Sequence, residues 1–202
     1  MKVFNIVLAG VGGQGTLLAA EVLGVAAVKD GLNVRVGEIH GMAQRGGAVI
    51  STVRMGEKVA APTVVEGQAD VLLGFEPLET LRNLKYASEK TLVIMSADRI
   101  PPTELAAKNM KYPSMEEIVE KIHRFTKKVT IVETARSAKD AGSSLTQNIV
   151  LIGALAGSEK LPVKTESVVE ALKELVPAKH VDMNVKAFKL GYESMKKGQK
   201  KA

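Results

Sequence analysis

Residues 2–21 read KVFNIVLAGVGGQGTLLAAE, an apolar run of strand length followed by a glycine-rich turn that opens into a helical pattern. A strand, a turn and a helix in this order give the spacing G-x-G-x-x-G a structural meaning. Gly10 permits the tight turn, Gly12 lets a phosphate or another chain approach the backbone, and Gly15 lets helix and strand pack closely. The stretch predicts an α/β, Rossmann-like three-layer fold with a mostly parallel sheet and a glycine-rich first βα turn.

The turn itself supports two interpretations. The N–H groups at the start of the helix suit an anion such as a phosphate. The same glycines also solve a packing problem in proteins that bind no nucleotide. Gly13 and Gln14 lie inside the turn, and they add a side-chain amide that a dinucleotide does not require.

Apolar periodicity predicts strands and helices along the whole chain. After a helix over 16–29, a strand over 33–38 returns to the sheet, which predicts a parallel first pair of strands with a right-handed crossover. Further strands are expected over 48–54, 69–75, 91–96 and 128–133, and further helices from 114 to about 125 and over 145–156, 165–176 and 182–197. Because no repeat, linker or composition shift divides the chain, we expect one domain over 1–202, with residues 196–202 as a solvated, frayed basic tail.

Composition excludes several classes of function. The 202 residues are 46% hydrophobic, which suits one domain with a sizeable core, and the chain has no cysteine for a disulfide, a nucleophilic thiol or an iron–sulfur cluster. The three histidines lack metal-ligand spacing, so no metal site is predicted. The apolar runs are too short to span a bilayer, and no leader-like segment opens the sequence, so we expect a cytoplasmic protein away from membranes. With 3% aromatic residues, the net charge of +6 does not predict a nucleic-acid partner.

A second glycine loop follows the second predicted strand, where residues 38–47 read EIHGMAQRGG. Glu38 lies 23 residues after Gly15 (38 − 15), about where a dinucleotide-binding fold places the acid that holds the ribose. The loop displays polar side chains between glycines: His40, Gln44 and Arg45 between Gly41, Gly46 and Gly47. Functional side chains concentrate on such loops, although a plain surface turn with a solvated Arg45 is the alternative.

Two more polar residues are candidates. Glu76 follows a buried strand at the rim where open α/β sheets bind ligands, but Glu76 and Glu79 also suit the start of a helix whose first position is Pro77. Asn148 lies in an otherwise apolar helical pattern, where it either fixes a loop or faces a partner chain. No catalytic residue is predicted in this chain.

Taken together, the two glycine loops resemble the small, γ-type subunit of the 2-oxoacid:ferredoxin oxidoreductases. The form Gly-Met-Ala-Gln-Arg-Gly-Gly, which ends at Gly47, most closely resembles the β subunit of indolepyruvate ferredoxin oxidoreductases. Further motifs fit the same family and extend the resemblance over nearly the whole chain: Gly67-x-Ala-Asp70, Gly74-Phe-Glu76-Pro-x-Glu79, Asn148 before Gly153, and Ala187-Phe188-x-x-Gly191.

The resemblance implies a reaction and a division of labour. A 2-oxoacid, here an aryl pyruvate, is oxidatively decarboxylated on thiamine diphosphate, the acyl group passes to coenzyme A, and electrons pass through iron–sulfur clusters to ferredoxin. It places the thiamine diphosphate, its magnesium and the clusters on a larger partner subunit, so that this chain binds no cofactor by itself and is inactive alone. The two glycine loops then contact a phosphate of coenzyme A, the active-site cleft or the partner chain, with the partner favoured.

Two other classes of function stay open at this level. A stand-alone NAD(P)-dependent dehydrogenase could use Glu38 for the ribose, but no convincing acid–base pair follows and the chain is short for an added substrate domain. The second class is a nucleotide-sensing or assembly protein. Nucleotide binding by the isolated chain favours these, whereas purification with a larger, cysteine-rich partner favours the subunit.

Overall fold

The computed structural model describes residues 2–41, 46–101 and 111–199. Its strands are β1 (Phe4–Val11), β2 (Asn33–His40), β3 (Ala48–Gly56), β4 (Val71–Gly74), β5 (Leu92–Ser96) and β6 (Val129–Val132). Its helices are α1 (Thr16–Lys29), α2 (Pro77–Arg82), α3 (Met115–Ile122), α4 (Thr134–Ala141), α5 (Gln147–Gly157), α6 (Thr165–Leu175) and α7 (Val181–Gln199). Short 3₁₀ turns lie at Leu84–Tyr86, Ser144–Thr146 and Ala178–His180.

The strands form one six-stranded sheet in the order β2-β3-β1-β4-β5-β6. The strands β1, β4, β5 and β6 are parallel, whereas β3 is antiparallel to both β1 and β2. The predicted pairing of β1 with β2 is therefore wrong, because β3 lies between them. The connection of β2 to β3 is too short for a crossover, so the chain returns as a hairpin, and β3 fills the place beside β1.

Helices cover both faces of the sheet, as the three-layer prediction requires. Alternate residues of β1 enter different cores: Ile6 and Leu8 pack with α1, α4, α5, α6 and α7, whereas Val7 and Ala9 pack with α3 and the segment before β4. This alternation follows from the two-residue period of a strand that is buried on both faces.

The core on the α1 face contains a very close helix crossing. An ideal Cβ placed on Gly153 of α5 would lie 2.9 Å from the carbonyl carbon of Phe188 in α7, and closer still to its oxygen. Gly191 of α7 meets the Val150 carbonyl in the same way. These glycines let the backbones of α5 and α7 touch.

Two helices differ from expectation. Helix α4 was not predicted, because its buried residues are only Thr134, Ala138 and Ala141 and they give little apolar signal. Helix α7 continues to Gln199, so residues 196–199 are helical rather than frayed, and Lys196 forms an ion pair with Glu159. Residues 200–202 lie outside the described chain.

Candidate functional site

The first glycine turn lies at the carboxyl end of the sheet, beside the crevice between β1 and β4. The next two strands along the chain, β2 and β3, lie on one side of β1, and the chain then crosses to β4 on the other side. The crevice between β1 and β4 is therefore the topological switch point. Open α/β sheets bind ligands at such a point. The turn leaves β1 at Val11, and α1 begins at Thr16.

The side chain of Gln14 spans the crevice. Its Oε1 accepts a hydrogen bond from the Val11 N–H (2.9 Å), and its Nε2 donates to the Phe75 carbonyl (2.8 Å). A Cβ on Gly10 would lie 2.8 Å from both Gln14 Oε1 and Phe75 Cβ, so this glycine makes room for the bridge. Gln14 thus ties the end of β1 to the end of β4.

Asn148, at the start of α5, holds the other end of the turn. Its Nδ2 donates to the Gly15 carbonyl (3.3 Å), and a Cβ on Gly15 would come within 2.5 Å of that nitrogen. Gly15 also has a φ of 73°, which favours glycine. This is the loop-fixing contact that the sequence left as one of two alternatives for Asn148.

The second glycine loop is bonded directly to the first. The Gly12 N–H donates to the Gly47 carbonyl (2.8 Å), and the Gly46 N–H donates to the Gly12 carbonyl (3.4 Å). Gly41 closes the β2–β3 hairpin by donating to the Ala48 carbonyl (2.9 Å). The first turn is therefore joined directly to Gly46 and Gly47, the described end of the second loop.

Some of the predicted loop residues cannot be placed on this surface. Gln44 and Arg45 lie outside the described residues, as does the side chain of His40.

A cavity of about 260 Å³ opens beside the first turn. Its wall combines Gln14, Phe75 and the α5 residues Gln147 and Asn148 with Thr134 at the start of α4. Two exposed apolar side chains, Leu145 (86% exposed) and Ile100 (41% exposed), also line it. The polar side chains of the wall are three amides and the hydroxyls of Thr134 and Ser144, so the cavity suits a neutral amide-bearing or apolar group better than a bare charge.

Glu76 lies behind this cavity and is fully buried. Its Oε2 accepts from the Glu79 N–H (2.9 Å), which makes Glu76 the N-cap of α2, while Oε1 accepts from the Ile100 N–H (3.3 Å) and from the Tyr112 hydroxyl. Burial, followed by the hydrogen bond and charge of Glu76, raises the pKa of Tyr112 well above its usual value, so the phenol stays protonated and donates a hydrogen bond to Glu76. Glu76 therefore anchors α2 and the chain at Ile100 and Tyr112.

A second polar cluster at the same rim was not predicted from the sequence. Asp98 Oδ2 accepts from the Thr134 hydroxyl (2.5 Å) and the Ala135 N–H (2.7 Å), and Ser96 Oγ lies 2.7 Å from Thr134 Oγ1. Asp98 thus supplies the side-chain cap that α4 lacks at its own N-cap, Glu133. The sequence signal that could have indicated this cluster is the polar residues directly after the apolar run of β5.

Glu38 does not join these groups. It pairs with Ser51 of β3, which in turn pairs with Leu8 of β1, so two strand spacings of about 4.8 Å separate Glu38 from β1. The insertion of β3 therefore removes Glu38 from the position that an acid needs to hold a ribose beside the first turn.

Within 2–41, 46–101 and 111–199, no group of three or more His, Cys, Asp or Glu residues is arranged to hold a metal ion. Among the helices that the structure describes, none combines the length and apolar character needed to cross a membrane.

Comparison with known proteins agrees with the fold. Residues 5–194 match the model of the family described as pyruvate ferredoxin/flavodoxin oxidoreductase. The chain is 47% identical to the indolepyruvate oxidoreductase subunit IorB of Pyrococcus horikoshii over 97% of this chain and 98% of that protein, and 43% identical to the protein of the same name from Archaeoglobus fulgidus over 98% of both. A crystal structure of a keto/oxoacid ferredoxin oxidoreductase γ subunit from Geobacter sulfurreducens superposes with a TM-score of 0.70 at 25% identity, covering 96% of this chain and 99% of that one. The chain therefore belongs to the pyruvate ferredoxin/flavodoxin oxidoreductase family and has the fold and length of its small γ-type subunits.

Proposed function

We propose that this chain is the small subunit of an indolepyruvate-type 2-oxoacid:ferredoxin oxidoreductase. The observation that carries the proposal is the 47% identity, over essentially the full length of both chains, to an indolepyruvate oxidoreductase subunit. The reaction is the oxidative decarboxylation of an aryl pyruvate to an acyl-coenzyme A, with electrons passed to ferredoxin.

The cysteine content of the chain and its described residues do not fit the iron–sulfur clusters or the magnesium of that reaction. It has no cysteine, so it supplies no thiolate for an iron–sulfur cluster. The described residues offer no set of carboxylates and histidines for a magnesium ion. We therefore assign thiamine diphosphate, magnesium and the clusters to a larger partner subunit, and we derive no catalytic step from this chain.

We assign the joined glycine loops to contact with that partner and with coenzyme A at its cleft. The hydrogen bonds between Gly12 and Gly46–Gly47 support this assignment, because they hold the described end of the second loop against the first turn. The neutral cavity beside Gln14 and Asn148 suits an apolar or amide-bearing group of the partner chain or of coenzyme A. The partner is the favoured occupant, since glycines allow the close approach of another backbone.

The geometry does not support the dehydrogenase alternative. The amide of Gln14 bridges the crevice between β1 and β4, where a dinucleotide would place its pyrophosphate. Glu38 is two strands away from that crevice. The glycine turn and Glu38, the two features of a nucleotide site that the sequence suggested, are therefore not arranged as such a site requires.

Co-expression with the adjacent large-subunit gene product tests the proposal. We expect a coloured complex on gel filtration that reduces a dye when indolepyruvate and coenzyme A are both supplied, with neither chain active alone. The large subunit purified without this chain is the control. A colourless chain that elutes alone and binds NAD(H) would overturn the proposal.

A further inference from the structure

The cavity beside the first turn is lined by three side-chain amides, and two of them are already engaged at both ends. Both ends of the Gln14 amide are bonded to backbone groups at the ends of β1 and β4. Asn148 is held in the same way, because its Nδ2 donates to the Gly15 carbonyl and its Oδ1 accepts from the Ile149 N–H (3.0 Å). These two amides therefore shape the wall, and the third amide is the one left to recognise an occupant.

Gln147, at the start of α5, is the third amide, and it contacts Thr134. Its Oε1 lies 3.3 Å from the Thr134 hydroxyl oxygen. That hydroxyl carries one proton, and the Asp98 carboxylate takes it at 2.5 Å, because hydrogen bonds to a charged acceptor are about twice as strong as neutral ones. Gln147 Oε1 and Thr134 Oγ1 therefore face each other as two acceptors, and no proton lies between them.

A half-turn of the Gln147 amide about its last side-chain bond removes this conflict. The Ser96 hydroxyl accepts from the Asp98 N–H (3.0 Å) and, since the Thr134 proton is already used, it is the donor in its 2.7 Å contact with Thr134. Thr134 retains one lone pair, to which Gln147 Nε2 donates after the half-turn. The same rotation turns Oε1 away from Thr134 and towards the cavity that Gln147 lines, without any movement of the backbone.

The rest of the cavity wall contains no second group of fixed hydrogen-bonding direction among the described residues. The hydroxyl of Ser144 is exposed and rotates, so it serves equally as donor or acceptor. Apolar side chains complete the wall, among them Phe75, Leu145 and Leu151. The cavity therefore combines apolar surface with one directed acceptor, and this combination fits the N–H of an amide in an otherwise apolar chain.

We propose that Gln147 is the specificity-determining residue of this cavity, and that its Oε1 accepts a hydrogen bond from the N–H of an amide in an otherwise apolar chain. The inference rests on the proposed function, which brings two molecules with such amides to this rim: coenzyme A, through its pantetheine arm, and the large subunit, through its main chain. It deepens that function by naming the residue that recognises the amide and the direction of the hydrogen bond.

A matched pair of variants tests the proposal in the complete complex. Gln147→Met removes the acceptor but keeps an unbranched side chain of similar helix propensity. Gln68→Met is the same change in a different pocket, before the start of β4. If coenzyme A supplies the amide, Gln147→Met should raise the KM for coenzyme A about ten-fold and leave kcat and assembly unchanged. If the large subunit supplies it, the Kd of the complex should rise about ten-fold and the KM should not change. Gln68→Met should alter neither quantity.

The orientation of the amide is measured separately, in the free full-length chain. Nuclear Overhauser contacts between the Gln147 Nε2 protons and the Thr134 methyl group are expected, because Nε2 faces Thr134 after the half-turn. Their absence would show that Oε1 stays beside Thr134, and it would refute the proposed direction of the hydrogen bond.

The outcomes separate this inference from the proposed function. If Gln147→Met matches Gln68→Met in both KM and assembly, Gln147 recognises no occupant and the inference is wrong, while the subunit assignment stands. A rise in both quantities together with a lower melting temperature of free Gln147→Met would mark a purely structural role and would also refute it. If the wild-type chain never co-elutes with the large subunit, both proposals fall.

Discussion

Replacing Gly153 by alanine should destabilise this protein, although alanine is the better helix former. In an exposed helix interior the change stabilises by about 1 kcal/mol. Here the new Cβ would lie 2.9 Å from the Phe188 carbonyl carbon and 3.0 Å from the Tyr192 nitrogen. The Phe188 carbonyl oxygen would lie closer still. Carbon atoms pack best at about 3.5–4.0 Å, so the carbonyl carbon alone requires α5 and α7 to separate by about 0.6 Å, and the oxygen requires more.

Backbone atoms cannot rotate away from this overlap as a side chain could. Overpacking in a core costs about 1–3 kcal/mol, and contact with two backbone segments places this site at the upper end. After the helix-propensity gain is subtracted, we expect a net loss of about 2 kcal/mol. For a chain of this size that lowers the melting temperature by about 4–8 °C.

Gly24→Ala is the matched control, because Gly24 also lies inside a helix. Its Cβ would meet only Val36 Cγ2, at 3.2 Å, and this methyl group belongs to a half-exposed side chain that can move. We expect the melting temperature of Gly24→Ala to equal or exceed that of the wild type. Calorimetry of the two variants measures the difference. A Gly153→Ala protein as stable as Gly24→Ala would show that the α5–α7 crossing is looser than we describe.

Three further predictions concern the rim and its supports. Gln14→Ala removes the hydrogen bonds to Val11 and Phe75, so it should lower the free energy of unfolding by about 2 kcal/mol and the melting temperature by about 4–8 °C. An unchanged melting temperature would mean that the Gln14 amide does not hold the ends of β1 and β4 together. Arg45→Ala should lower complex formation or turnover about ten- to a hundred-fold, as expected for loss of a charge-assisted hydrogen bond. The exposed control Arg124→Ala should have no effect, and equal behaviour of the two variants would show that Arg45 is not at the interface. Burial tends to raise the pKa of Asp30, but hydrogen bonds from Ser167 and Lys164 outweigh it and leave the pKa below its usual value. Its stabilising effect is therefore present at neutral pH and is lost as the pH falls through the folded-state pKa, so Asp30→Asn should be less stable at pH 7 and should lose less stability below about pH 4 in acid titrations followed by circular dichroism.

Much of the fold could be predicted because its signals are local. The helix over Thr16–Lys29 was predicted to the residue, and Ser114 with Glu117 forms the capping box that starts α3. Periodicity and capping depend on residues within one or two turns of each other, so they can be read along the chain. The family resemblance was likewise visible, because the two glycine loops have a characteristic order and spacing.

The candidate site was only partly predictable, since its contacts join distant residues. Gln14 was recognised as an unusual residue in the turn, but its partner Phe75 lies 61 residues away. Asp98 and Thr134 form a cluster across 36 residues, and neither belongs to a motif. Hydrogen bonds of this kind leave no regular spacing in the sequence.

The sequence by itself determined the strands and every helix except α4, the glycine turn that leads from β1 into α1, and the membership of a family of oxidoreductase subunits. The tertiary structure alone decided that β3 lies between β1 and β2, that β2 is therefore the outermost strand, and that Glu38 is consequently remote from the turn. The physical reason is that strand order follows from hydrogen bonds between backbones, which every residue except proline can donate. Apolar periodicity shows that a segment is a strand, but it does not show which other strand completes its hydrogen bonds.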